Sequence, residues 1–186
     1  MFDERNLAQR ELVLKFAFGA TLAIWLGSGS ALAQTPAAPP AAAMPTALFV
    51  QAIASVDAFE QRAGKVAQVM GNSLEVRKYS RTMVDDHAKE AAALNDAASK
   101  AQIPAPTADL AATQAATVKD LYAVSSKDFD KIYITAEIDS HQRALEDAQA
   151  YAAGGDNPTV KQIAAALIPG IQRHLDAAKT ILSHVR

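Results

Sequence analysis

The sequence predicts an all-α protein: a ferritin-like four-helix bundle with one long crossover that carries a short extra helix. Three observations point there. Alanine dominates the 186 residues while aromatics make up 6%, and alanine is the residue a helix accommodates at least cost. Glycine and proline gather at the edges of segments, where they end helices, rather than inside them. From Thr46 onward apolar residues recur at steps of three and four, the period of an amphipathic helix.

Before that pattern begins, residues 16–33 form an apolar run ending in Ala31-Leu32-Ala33, and small residues at Ala31 and Ala33 suit a signal-peptidase site. Residues 1–33 are therefore expected to be a signal peptide, with Gln34 as the first mature residue. The flank is nearly neutral, since Arg5, Arg10 and Lys15 are offset by Asp3, Glu4 and Glu11. An uncleaved anchor in the inner membrane is the alternative, but a span needs about 20 apolar residues. Gly27, Ser28, Gly29 and Ser30 interrupt this one. A Pro/Ala-rich linker over residues 34–45 follows, and the helical domain occupies 46–186. The expected address is periplasmic, with no membrane span after cleavage.

The first helix is expected over residues 47–70, with Phe49, Ile53, Val56, Ala63, Ala67 and Met70 as its stripe and Gly71-Asn72 as the turn. Ser73 is a plausible N-cap for the second, which runs to about residue 101 before Pro104 and Pro106. A shorter helix over about 108–124 takes Thr107 as its cap and buries Leu110, Val118 and Leu121. The next long helix follows Ser125-Ser126 and runs to about residue 153 with Ile134, Ile138, Leu145 and Ala148 inward, ending at Gly154-Gly155. Asn157-Pro158, a cap followed by proline at the first helical position, starts the last, and Pro169 inside it should bend it. Four helices of about 24 to 30 residues suit an antiparallel bundle, and one long connection is the ferritin-like arrangement. A plain up-down bundle with a lid helix is the alternative.

Net charge is −2, with both signs mixed along every segment. No basic stripe exists, so nucleic acid is not an expected partner. The absence of cysteine removes disulfides, thiolate metal sites and cysteine nucleophiles.

Each long helix breaks its apolar stripe once, at Glu60, His87, His141 and His174. All four fall at mid-helix, within about 10 Å of one another along the bundle axis. Buried unpaired carboxylates and imidazoliums are costly, so the coincidence needs a cause. One account is a buried hydrogen-bond network that fixes helix register. The other is a site for one divalent transition-metal ion, for which imidazoles and a carboxylate are suitable donors. Glu90 and Glu137 are then candidates for further ligands or for groups that support the ligands from behind, and Asp86 could orient an imidazole. A di-iron carboxylate oxidase fits poorly, because that chemistry takes Glu-x-x-His pairs from two helices. Here His87 precedes Glu90, Glu137 stands four before His141, and the last helix has no Glu. His184 reads as a helix-dipole partner, and Tyr79, Tyr122, Tyr133 and Tyr151 as interface packing.

Several of these residues together resemble a known family. Phe49-Val50, Glu60 with Gly64 and Ala67, and Met83-Val84-Asp85-Asp86-His87 with Leu94 match its pattern. So do Phe129-Asp130, Tyr133, His141, Leu167, Pro169, His174-Leu175 and Ala178. The chain is similar, over about residues 48–182, to a bacterial family described as domain of unknown function 4142. The resemblance implies an exported ferritin-like helical bundle in which Glu60, Asp86, His87, His141 and His174 are recurring positions. Glu90 and Glu137 do not fall on them, and the resemblance implies no activity.

The leading expectation is a non-enzymatic binding or stress-related interaction module with a core His/Glu cluster. The alternative is a metal-binding protein, with redox or metal-handling capacity, that uses the same residues. The identity of a protein partner and the oligomeric state are not legible.

Overall fold

A computed structural model describes residues 44–185, and the expected signal peptide and most of the linker lie outside them. The described part is all-helical, with five helices: α1 (Thr46–Met70), α2 (Leu74–Lys100), α3 (Ala112–Ala123), α4 (Ser126–Gly154) and α5 (Pro158–Leu182). None is long and apolar enough to cross a membrane.

Local chemistry sets most of these boundaries. Pro45 supplies the carbonyl that accepts from Leu48 and Phe49 at the start of α1. Ser73 Oγ accepts from Val76 N at 3.1 Å, satisfying one of the donors a helix start leaves free. Asn157 Oδ1 does the same for Thr159 N and Val160 N of α5, with Pro158 in the first turn. The second helix stops where Gln102 takes φ 57° and the following Pro104 forbids continuation. Within α5 the chain passes Pro169 as one helix. Pro169 and Ala165, whose carbonyl the missing N–H would have engaged, are both on the exposed face.

The short helix differs from expectation. Thr107 is not its cap: the Thr107 N–H donates to Gln51 Oε1 and its carbonyl accepts from Gln51 Nε2. This pins an extended segment against α1, and α3 starts at Ala112, where the Ala111 N–H donates to Gln114 Oε1 and Ser55 Oγ.

Each long helix packs against two others, α1 on α2 and α4, and α5 on α4 and α2, while α3 lies on α1 and α4. Contacts at the helix ends fix the directions. Asp130 near the start of α4 accepts from the Asn72 and Ser73 N–H groups at 2.8 Å each, in the turn between α1 and α2. At the opposite end Thr46 Oγ1 meets Tyr151 Oη near the end of α4 at 2.5 Å. So α2 and α4 run in the same direction, and α1 and α5 run against them. Gly64 permits a close approach of α1 to α2, since a Cβ there would stand 2.8 Å from Val84 Cγ2 and 3.0 Å from the Ser80 carbonyl.

Two apolar clusters fill the ends. One contains Phe59, Val76, Met83, Leu121, Phe129 and Ile134. The other contains Phe49, Ile53, Leu94, Tyr151, Val160 and Ala164, with Phe49 stacked on Tyr151 at 4.3 Å between centroids. Between them lies a layer of buried His, Asp and Glu.

Candidate metal centre

All four stripe-breaking residues turn inward. Glu60 and His141 are fully buried, His87 is 1% exposed and His174 is 9% exposed. The three imidazoles, from α2, α4 and α5, form a nearly equilateral triangle with centroid separations of 5.5, 5.5 and 5.4 Å. One ring nitrogen of each lies within 4.8 Å of the others. A tetrahedral ion held at about 2 Å by each nitrogen needs them roughly 3.4 Å apart.

Each ring has one nitrogen engaged and one free. His87 Nδ1 is 2.8 Å from Asp57 Oδ1, His141 Nδ1 donates to the Glu137 carbonyl at 2.9 Å, and His174 Nε2 is 3.3 Å from Asp86 Oδ2. The opposite nitrogens, His87 Nε2, His141 Nε2 and His174 Nδ1, are buried with no hydrogen-bond partner among the described residues. Such pairing orients metal-ligating histidines: an acceptor on one nitrogen fixes the tautomer and aims the other lone pair. Burial keeps the imidazoles neutral. It lowers the pKa of all three, that of His141 to about 3 with the neighbouring His87 adding to the effect.

Glu60 stands apart from the triangle. Its carboxyl groups with Glu137 and His141, with both carboxylates 3.7 Å from His141 Nδ1. Ser140 Oγ donates to Glu60 Oε1 at 2.7 Å, and Tyr79 Oη reaches Glu137 Oε2 at 3.4 Å. Burial raises the pKa of both carboxyls, and the neighbouring Glu137 raises that of Glu60 further. Asp86 lies within hydrogen-bond distance of His174, and it also pairs with Lys89. Glu90 lies 3.9 Å from His87 Nδ1, and burial pushes its pKa up to about 7. His184 is exposed and pairs with Glu75, far from this layer.

Two residues belong to the layer more fully than the sequence suggested. Asp57, fully buried with its pKa raised to about 8 by burial, is the partner of His87 and was not among the candidates. Glu137, expected as a further ligand or as support, is fully buried and groups with Glu60. Val56 and Ile138, which the stripes placed inward, are only half-buried. Counting four from Ile53 reaches Asp57 and three from Ile134 reaches Glu137, the signal that marks both. Tyr79 and Tyr133 are also buried at this level, where Glu137 adds to burial in raising their pKa values.

His174 also borders the surface, in a groove between α2 and α5 of about 320 Å³ shared with Tyr79, Met83 and Ile181. An all-helical bundle domain with an internal histidine–carboxylate layer is thus the class that fold and site define. The family model described as Domain of unknown function (DUF4142) matches residues 31–181, and the chain belongs to that family. No curated protein and no solved structure matches it.

Proposed function

We propose that the domain is a metal-binding, ferritin-like four-helix bundle that holds one divalent transition-metal ion through His87 Nε2, His141 Nε2 and His174 Nδ1. The long connection between α2 and α4, which run in the same direction, supports the ferritin-like reading of the topology. The observation that carries the site is the three-fold repetition of one arrangement. Each buried imidazole is anchored at one nitrogen and left without a partner at the other, and the three rings stand 5.4 to 5.5 Å apart between centroids. A network that served only register would close on itself, because a buried polar atom without a partner costs about 1–3 kcal/mol. Neutral imidazole donors suit zinc or copper best among common divalent ions.

Asp57, the Glu137 carbonyl and Asp86 would orient the three rings. Three protein ligands leave a tetrahedral ion one further position, and the groove beside His174 is the nearest approach to it. Export by a leader over residues 1–33 completes this reading as a periplasmic metal-handling protein. Elemental analysis of the zinc-loaded chain after desalting tests it. One zinc per chain that disappears in the His87→Ala/His141→Ala variant is the expected outcome. A folded chain that retains no zinc would overturn it.

A further inference from the structure

We propose that Glu60 and Glu137, with the hydroxyl of Tyr133, form a second, oxygen-lined cation site beside the tri-histidine one, so that the centre takes two divalent ions. This rests on the tri-histidine reading above and extends it to the other side of His141.

The carboxylates repeat the half-engaged pattern of the imidazoles. Glu60 is held through Oε1 by Ser140, and Glu137 through Oε2 by Tyr79. Glu60 Oε2 and Glu137 Oε1 are buried with no hydrogen-bond partner among the described residues, and so is Tyr133 Oη one helical turn from Glu137. All three side chains are fully buried. Buried oxygens left without a partner cost stability, and a cation held between the two carboxyls would offset that cost. Two facing carboxyls at this depth can meet only by sharing a proton or by holding a cation between them.

The donor chemistry separates the two positions. Three neutral imidazoles contribute no charge, whereas two carboxylates neutralise one divalent ion. Oxygen donors favour the harder manganese(II) or iron(II), while the histidines favour zinc or copper. His141 lies between them, its Nδ1 toward both carboxylates and its Nε2 on the other side of the ring.

The test loads the full chain anaerobically with one equivalent of zinc and titrates it with manganese(II), followed by electron paramagnetic resonance. One retained zinc and one tightly bound manganese per chain are expected. Zinc without manganese overturns the second site and leaves the first intact, whereas a chain that holds neither overturns both. Glu60→Gln/Glu137→Gln should keep zinc and lose manganese, and unchanged manganese binding in this variant would also overturn the second site. Tyr133→Phe, which removes one oxygen and conserves packing, should weaken manganese about tenfold or more and leave zinc unaffected. Equal manganese affinity in Tyr133→Phe removes the phenol from the ligand set.

Discussion

The ends of the bundle and its middle treat buried polar groups in opposite ways. At one end Thr46, Tyr151 and Asp156 bond to one another, and at the other Asp130 accepts from two backbone N–H groups of the α1–α2 turn. Ser80, also buried, donates to the Arg77 carbonyl. Each of these buried side chains has a structural partner. In the middle, seven buried atoms have none among the described residues: one each on Asp57, Glu60, His87, Tyr133, Glu137, His141 and His174. The same chain that closes its polar accounts at both ends leaves them open in one layer. Chance packing would scatter such defects, whereas a ligand site concentrates them.

The contrast is broken most severely by exchanging what each region needs. His87→Ala/His141→Ala should abolish zinc binding while the helical circular dichroism of the metal-free chain persists. In the end cluster, Phe49→Ala should cost about 3–5 kcal/mol through the cavity left against Tyr151, read as a lower denaturation midpoint. Zinc stoichiometry of the folded fraction should not change.

The next effect is pH dependence. Asp57 has its pKa raised from an ordinary 3.8 to about 8, and Glu90 from 4.5 to about 7, so the native state binds more protons than the unfolded chain across those ranges. Their stabilising contribution is complete below the ordinary values and is lost as pH rises through the raised ones. His141 works in the other direction, lowered from 6.5 to about 3, and its contribution is lost as pH falls through that window. Above pH 6.5 the carboxyls alone titrate, so the metal-free chain should lose stability from pH 6.5 to 8. With saturating zinc the slope should reverse, because the ion needs Asp57 ionised to accept from His87. Thermal melts at several pH values, with and without zinc, check both signs.

Smaller effects sharpen the same comparison. Asp57→Asn should weaken zinc about 10- to 100-fold by loosening His87. Ser73→Ala should cost about 1 kcal/mol of stability through the lost cap and leave zinc affinity unchanged. An isothermal titration of each variant separates the two.

Much of this was legible in the sequence because capping chemistry is local. Ser73, Asn157-Pro158 and Gly71 each mark a boundary within a residue or two of where it stands, and α2 ends four residues before Pro104. The inward turn of Glu60, His87, His141 and His174 followed from spacing alone. Asp57 and Glu137 were hidden by their neighbours. Val56 and Ile138 are apolar and one residue away, about 100° around the helix, and a pattern read by hydrophobicity prefers them. The start of α3 was hidden for another reason. Gln51, distant in sequence, holds Thr107 in an extended segment, and no local signal at Thr107 records that contact.

The central claim is that three histidines from three helices bind one ion, and X-ray absorption at the zinc edge tests it most directly. The zinc-loaded chain should give nitrogen neighbours at about 2.0 Å with the multiple scattering of three imidazoles. A spectrum with only oxygen neighbours, or with a single imidazole, would contradict the account.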